Sequence, residues 1–209
     1  MTAEIVFYTD PMSRGRIVHW MLEESGAPHR IEPISLQRNE QKKPAYLAIN
    51  PMGKVPAIVH NGTVVTECAA ICTYLADAFP AAGLAPDIKS PQRGTYLRWM
   101  FFGAGCVDPA LMDTMLARPP VERPQALSYG TRADMTATLE KALQPGPYIL
   151  GERFSAADVY IGSQIGFGFM MKALEPRPIL VKYHERLAQR DAFKRASEKS
   201  DQLSAQMKG

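Results

Sequence analysis

Residues 8–16 read Tyr-Thr-Asp-Pro-Met-Ser-Arg-Gly-Arg and place several hydroxyl groups between a predicted strand and a predicted helix. The apolar run Glu4–Tyr8 favours a buried strand, and a stripe of apolar residues at helical spacing begins after Ser13. The exposed N–H groups and the dipole of a helix N-terminus favour an anion, including a thiolate. Ser13 could therefore stabilise such an anion, although the commonest role of a serine at this position is to cap the helix.

Two further segments could hold a ligand. Asn50–Pro56 ends in a proline that opens a strand, which implies an edge position or a special backbone feature such as a cis peptide, found in about 5% of X–Pro bonds. Glu67 and Cys68 begin a predicted helix, so the acceptor side chain of Glu67 and the backbone N–H groups of the first turn point toward the same position. Each segment alone also has an ordinary interpretation, a loop entering a hairpin or an acid in the first turn of a helix.

The first part of the chain predicts the order β-α-β, a short helix, then β-β-α. A β-α-β start implies parallel strands joined by a right-handed crossover. Gly26 stands where a left-handed C-cap ends the first helix, and Pro33 favours an edge position for the second strand. The remaining elements are a short helix at Pro44–Asn50, a hairpin of Val55–His60 and Thr63–Thr66 around Asn61-Gly62, and a helix at Glu67–Phe79.

The second part of the chain is helical in pattern. Ala81–Ile88 contains small residues, Pro and Gly without periodicity, and is predicted to be a linker. The helices after it are one opened by Ser90-Pro91, one at Ala133–Leu143, one opened by a capping box at Ser155 and Asp158, and two shorter ones from Ile179 onward. We therefore predict an α/β domain at residues 1–80, a linker at 81–88 and an all-helical domain at 89–209.

Composition excludes several classes of protein. The net charge of +3 is too slight, and the basic residues too scattered, to indicate a nucleic-acid or membrane partner. No apolar run approaches the roughly 18 residues of a membrane span, and the first residues do not resemble a signal peptide. The three cysteines, Cys68, Cys72 and Cys106, have neither disulfide nor zinc spacing. We expect a cytoplasmic protein without a metal site.

The order and spacing of these segments resemble the cytosolic glutathione transferase family over nearly the whole chain. The resemblance is carried by Asn50-Pro-x-Gly-Lys-Val-Pro56, by Glu67-Cys68 and by Gly151-x-x-x-Ser155-x-Ala-Asp158. It is strongest with a bacterial type of enzyme that has Ser or Thr in the first turn. The resemblance implies a thioredoxin-like α/β N-terminal domain followed by an all-α helical-bundle C-terminal domain.

The resemblance also implies which residues bind glutathione. Val55 would pair through its backbone with the cysteinyl part, with Pro56 cis, and Glu67 and Cys68 would hold the γ-glutamyl group. Cysteine stands where the family usually has serine, and a thiol is a weak hydrogen-bonding group, so affinity should fall by about 1 kcal/mol. The glycyl carboxylate would meet Gln41, with Lys42, Lys43 and Lys54 as alternatives.

The implied activity is transfer of glutathione, as co-substrate, to a small hydrophobic electrophile. The family activates the thiol with a hydroxyl or cysteine at the end of the first strand or the start of the first helix. Here Ser13 is the first candidate, Thr9 the second and Tyr8 the third. The resemblance further implies a homodimer, and an electrophile bound against the first and third helices of the C-terminal domain.

Three alternatives stay open. A glutathione-dependent isomerase or lyase on this fold would have a serine-rich first turn, which this chain lacks. A disulfide oxidoreductase with dithiol chemistry would have Cys-x-x-Cys there, and the turn contains no cysteine. A non-catalytic binding module would have lost its glutathione contacts, whereas Val55, Pro56 and Glu67 are all present.

Overall fold

The structure, a computed structural model, describes residues 4–208 of the chain. Its strands are β1 (Ile5–Thr9), β2 (His29–Pro33), β3 (Ala57–His60) and β4 (Thr63–Thr66). Its α-helices are α1 (Gly15–Ser25), α2 (Pro44–Leu47), α3 (Cys68–Ala78), α4 (Gln92–Phe102), α5 (Asp108–Met115), α6 (Arg132–Leu143), α7 (Ala156–Met170), α8 (Pro178–Ala188) and α9 (Asp191–Lys208). The described residues pack into two compact units. The first contains residues 4–82 together with 190–208, and the second contains residues 83–189.

The first unit contains one four-stranded sheet in the order β2-β1-β3-β4. β1 is parallel to β2 and antiparallel to β3, and β3 is antiparallel to β4. β2 lies at the edge, as Pro33 predicts. Asn61 and Gly62 both have positive φ, 52° and 77°, as a tight hairpin turn requires. The mixed sheet with its helices confirms the predicted thioredoxin-like domain.

The predicted first helix is confirmed as α1. Ile17, Val18, Met21 and Leu22 are buried along one side of it, in the core that covers the sheet. Gly26 follows the helix with φ of 65°, in the left-handed conformation that favours glycine at a C-cap. The helix therefore has a fixed end, and its first turn lies at the carboxyl end of β1.

The end of the chain differs from the prediction of two shorter helices. α9 spans 18 residues, more than α7, and packs on α1 within the first unit. Its buried positions hold small side chains, so the apolar periodicity there is weak. These positions are Ala192, Ala196, Ser200 and Ser204. α9 therefore packs in the same compact unit as the sheet. The division of the chain by function into residues 1–80, 81–88 and 89–209 stays a prediction.

The second unit is helical throughout its regular structure. A π-helical turn, Gly103–Val107, separates α4 from α5. The predicted capping box is confirmed at the start of α7, because the side chain of Ser155 accepts the N–H of Asp158 and the carboxylate of Asp158 accepts the N–H of Ser155. Oγ of Ser155 also donates to Oδ2 of Asp158. Oδ1 of Asp158 accepts from the N–H of Ile149 and the hydroxyl of Tyr183.

Within residues 4–208, no helix combines the length and the apolar character of a membrane span.

Candidate active site

One edge of the sheet collects the ends of three strands. β1 ends there, and β3 begins there because Tyr8 pairs with Ala57. β4 also ends there, because Ala57 pairs with Thr66 on the other side. The segments that lead into α1, β3 and α3 therefore meet at this edge. They contain seven of the residues that the sequence predicts to handle glutathione, namely Thr9, Ser13, Lys54, Val55, Pro56, Glu67 and Cys68.

Asp10 organises the turn between β1 and α1. Its buried carboxylate accepts the N–H of Met12 at 2.8 Å and the N–H of Leu36 at 3.0 Å. Its carbonyl accepts the N–H of Ser13 at 3.1 Å. Since Leu36 follows β2, the aspartate fixes the turn against the chain beyond the neighbouring strand. Sequence reasoning missed this residue, because it treated Asp10 only as part of the connection between the first strand and the first helix.

The two leading hydroxyl candidates both lie beside the start of α1. Oγ of Ser13 donates to the carbonyl of Asp10 at 2.6 Å and accepts the N–H of Gly15 at 3.0 Å. Thr9 is buried, and its Oγ1 donates to the same carbonyl at 3.3 Å. A Cβ at Gly15 would lie 1.8 Å from Oγ1 of Thr9, so the strand end touches the helix start. Ser13, which is half-buried, has the more accessible hydroxyl.

The loop before β3 is held by its own polar groups. The carbonyl of Lys54 accepts the hydroxyl of Tyr46 at 2.7 Å and the side-chain amide of Asn50 at 2.8 Å. Burial raises the pKa of Tyr46 to about 12, so this hydroxyl remains a donor at neutral pH. The following Val55–Pro56 peptide bond is cis, the conformation that the resemblance implies.

The backbone of Val55 is available for pairing. Within residues 4–208, neither its N–H nor its C=O has a hydrogen-bond partner. Backbone groups of this kind are strong donors and acceptors and pair readily with another extended chain. The loop thus presents a short stretch of backbone at the sheet edge, next to the end of β1.

Gln41 lies beside the same loop. Gly53 has φ of 59°, and a Cβ there would lie 2.7 Å from the carbonyl oxygen of Gln41. The side-chain amide of Gln41 donates to Oδ1 of Asn39 at 3.5 Å, and its Oε1 is buried without a partner among the described residues. The ammonium of Lys42 donates to the carbonyl of Met52 at 3.0 Å, which ties the segment before α2 to this loop.

Glu67 and Cys68 stand at the start of α3. Glu67 is exposed and has φ of 66°, a conformation that costs a residue other than glycine about 1–3 kcal/mol and that often marks a functional position. The carbonyl of Glu67 accepts the N–H of Ile71 at 2.8 Å as the helix begins. Sγ of Cys68 donates to the carbonyl of Arg14 at 3.7 Å, which brings the starts of α1 and α3 together.

Comparison with known proteins identifies the family. The model of the glutathione S-transferase N-terminal domain matches residues 12–78, and that of the C-terminal domain matches residues 121–199. The chain is 30% identical over 194 residues to glutathione S-transferase GstA of Escherichia coli O157:H7, covering 90% of this chain and 92% of that protein. The chain belongs to the glutathione S-transferase family.

Other members of the family differ in their activities. The chain is 27% identical over 202 residues to the disulfide-bond oxidoreductase YfcG of Escherichia coli K12, covering 90% of this chain and 92% of that protein. A glutathione transferase homologue from Sulfitobacter, solved with bound glutathione, superimposes with a TM-score of 0.76 at 26% identity. That superposition covers 94% of this chain and 98% of the Sulfitobacter protein. The transferase fold is thus shown, whereas the reaction varies among relatives.

Proposed function

We propose that this family member is a glutathione transferase, which lowers the pKa of the glutathione thiol and directs the thiolate to small apolar electrophiles. The observation that carries the proposal is the Val55 backbone, whose N–H and C=O have no partner among the described residues and precede a cis proline. The cysteinyl part of glutathione has one N–H and one C=O to pair with them in antiparallel fashion. The bound glutathione of the Sulfitobacter homologue supports this choice of ligand.

The other contacts of glutathione follow from its charges. The carboxylate of Glu67 is exposed and would accept the γ-glutamyl ammonium, while the N–H groups at the start of α3, beside Cys68, would donate to the γ-glutamyl carboxylate. Gln41 and Lys54 would bind the glycyl carboxylate at the other end. Ser13 would then lie on the side of the cysteinyl sulfur, next to the first turn of α1.

Thiol activation needs only a modest stabilisation of the anion. Lowering a thiol pKa from about 8.5 by about 2 units requires about 2.7 kcal/mol. One hydrogen bond to a charged acceptor contributes about 1.5–3 kcal/mol, and a helix N-terminus adds about 0.3–1 kcal/mol. Ser13 would supply the hydrogen bond when its hydroxyl turns from the Asp10 carbonyl, 2.6 Å away, to the sulfur, and the start of α1 would supply the second contribution.

The electrophile is proposed to be small and apolar. Met12 in the first turn is 71% exposed, and Met52 in the loop before Val55 is 64% exposed. Methionine is flexible and polarisable and adapts to apolar partners of several shapes. Its presence in the two loops that carry Ser13 and Val55 supports a broad range of apolar substrates. A screen in which a single charged acid is the sole substrate would contradict it.

The experiment that tests the proposal is a calorimetric titration with reduced glutathione. The titration is run at two pH values and in two buffers of different ionisation enthalpy, so that proton release is measured together with binding. Saturable binding with proton release near neutral pH, and displacement of chloride from an aryl chloride at a rate that saturates with glutathione, are the expected results. Binding without proton release or turnover would instead favour a non-catalytic binding module.

A second candidate function is glutathione-dependent disulfide reduction, which the similarity to YfcG favours. The bound thiolate would attack one sulfur of a disulfide and expel the other as a thiolate. The thiolate of a second glutathione would then attack the glutathione sulfur of the mixed disulfide, which gives glutathione disulfide and expels the remaining half of the substrate as a thiolate. This chemistry uses the same activated thiol and needs no cysteine in the first turn. Parallel assays with an aryl chloride and a small dialkyl disulfide distinguish the two functions by their relative kcat/KM.

A further inference from the structure

A cluster of metal-binding side chains lies on α1 and β2, outside the proposed glutathione site. One ligand atom each from His19, Glu23 and His29 lies within 4.8 Å of the other two. His19 and Glu23 are four residues apart and therefore share a face of α1, while His29 is the first residue of β2. The part of α9 around Ser200 packs against this cluster.

Each histidine has one ring nitrogen engaged and one left for a ligand. Nδ1 of His29 is 2.8 Å from the carbonyl of Ala27, which can only accept, so Nδ1 carries the proton and Nε2 has the lone pair. Nδ1 of His19 is 2.8 Å from Oγ of Ser200. Metal-binding histidines characteristically hold their second nitrogen to a carbonyl, a carboxylate or a water, which fixes the ring and its tautomer.

His19 has a second feature that points to a ligand. The residue is 1% exposed, and its Nε2 is buried without a hydrogen-bond partner among residues 4–208. An unsatisfied buried polar group of this kind is unusual in a folded protein.

Glu23 would be the third ligand, and its present partners are cations. Its side chain is 8% exposed and accepts Nζ of Lys199 at 2.5 Å and Nε of Arg195 at 2.9 Å. A bound dication would repel both cations, and Lys199 would compete with it for the Glu23 carboxylate. The lysine side chain is half-exposed, so its ammonium can move into solvent when a metal takes its place.

We propose that His19, Glu23 and His29 bind a divalent transition metal of the Zn²⁺ type, with water completing the coordination. Two neutral imidazoles and one carboxylate suit Zn²⁺, whereas Mg²⁺ and Ca²⁺ prefer oxygen ligands throughout. The ion would join α1 to β2 and, through Ser200, to α9. This inference departs from the expectation of a protein without metal. The sequence does not reveal the site, because His29 comes close to His19 and Glu23 only when the chain is folded.

Zinc titration of the chelator-treated full chain tests the site, with a chromophoric chelator as competitor. His29→Gln, at a half-buried position, should weaken Zn²⁺ binding by about tenfold or more, and His19→Gln should do the same if it folds. Lys199→Met should tighten binding by about tenfold, because it removes one of the two cations that hold the Glu23 carboxylate and leaves Oε1 of Glu23 to the metal. His184→Gln and Lys194→Met are the matched controls and should leave the affinity unchanged.

Cobalt substitution gives a second readout that does not depend on any activity. Co²⁺ at the site should produce visible d–d bands without a sulfur-to-metal charge-transfer band, and His29→Gln should remove them. A thiolate band would assign the metal to the cysteines and overturn the proposal. Unchanged affinity in His29→Gln, weaker or unchanged binding in Lys199→Met, or no Zn²⁺ binding at millimolar concentration would each overturn it as well. Far-UV circular dichroism establishes that each variant is folded.

Discussion

At the residue scale, Cys68 is the departure from the family pattern with the clearest expected effect. Its Sγ donates only a long contact, 3.7 Å, to the carbonyl of Arg14. Cys68→Ser should tighten glutathione binding by about 1 kcal/mol, roughly fivefold, because a hydroxyl is the stronger hydrogen-bonding group at the start of α3. Calorimetric titration measures this change, and Cys106→Ser serves as the control. Weaker binding in Cys68→Ser would show that the thiol itself suits the ligand.

Substitution of Ser13 separates a catalytic role from a purely local role at the start of α1. Ser13→Ala should raise the pKa of enzyme-bound glutathione by about 1–2 units, since the lost hydrogen bond to the thiolate contributes about 1.5–3 kcal/mol. The pH profile of kcat/KM with an aryl chloride reports that pKa. Loss of the hydrogen bond from the N–H of Gly15 alone would lower stability and leave the profile unchanged. An unmoved profile in Ser13→Ala and a shifted one in Thr9→Val would assign activation to Thr9 instead.

What the sequence can reveal of the site depends on where each residue's partners lie. Val55, Pro56 and Glu67 belong to short contiguous segments, so their spacing alone suffices to find them. Asp10 acts through Leu36, 26 positions along the chain, and only the fold brings that partner to it. Local pattern predicts a turn at Asp10 but carries no sign of the long-range contact that makes the turn rigid.

At the scale of elements, Asp158 makes the start of α7 sensitive to pH. Burial raises its pKa from 3.8 to about 6, although the N–H and hydroxyl groups that donate to it act in the opposite direction. A carboxyl group whose pKa is higher in the folded state favours folding most when protonated. The stabilisation by Asp158 is therefore full below about pH 3.8 and is lost as pH rises through about 6.

The corresponding variant is Asp158→Asn, which keeps the shape and removes the titration. At pH 4 the wild-type side chain is a neutral carboxyl group, whose two oxygens can both accept hydrogen bonds, whereas the NH2 of the amide accepts none. The variant should therefore be less stable than wild type by about 2 kcal/mol at pH 4. The difference should shrink between pH 4 and pH 7. Urea unfolding at four pH values in this range measures it, with Asp134→Asn at the start of α6 as the control. A difference that grew with pH would contradict the direction of the shift.

Helices were predictable to the extent that their buried faces are apolar. α1 and α7 have such faces together with clear caps, and both are found where predicted. α9 buries alanines and serines against α1, so its length could not be read from periodicity. The π-helical turn at Gly103–Val107 depends on close packing, since a Cβ at Gly103 would lie 2.7 Å from the ring of Tyr160.

At the scale of the whole molecule, the two ends of the chain belong to the same compact unit. The ring of Trp20 on α1 meets Phe193 on α9 edge-on, with centroids 5.0 Å apart. The guanidinium of Arg190 makes two hydrogen bonds to the carboxylate of Glu24, at 2.6 and 2.7 Å. These contacts join residues more than 160 positions apart, so they form only when the last helix docks on the first. The last helix should therefore stabilise the sheet domain.

Phe193→Ala tests this long-range contact directly. It should lower the stability of the unit that contains the sheet by about 2 kcal/mol, less than a fully buried phenylalanine would, because Phe193 is only half-buried. The two tryptophans, Trp20 and Trp99, lie in different units, so a Trp99→Phe background leaves Trp20 fluorescence as the reporter for the first unit. Phe169→Ala on α7 is the matched control and should act on the helical unit.

The comparison of the two variants decides how the chain divides on unfolding. If α9 stabilises the sheet unit, Phe193→Ala moves the Trp20 transition to lower urea, whereas Phe169→Ala acts mainly on the transition seen by Trp99 in a Trp20→Phe background. Equal shifts of both signals by both variants would mean that the chain unfolds as one cooperative unit. A Trp20 transition that Phe193→Ala leaves unmoved would mean that the docking of α9 contributes nothing to the stability of the sheet domain.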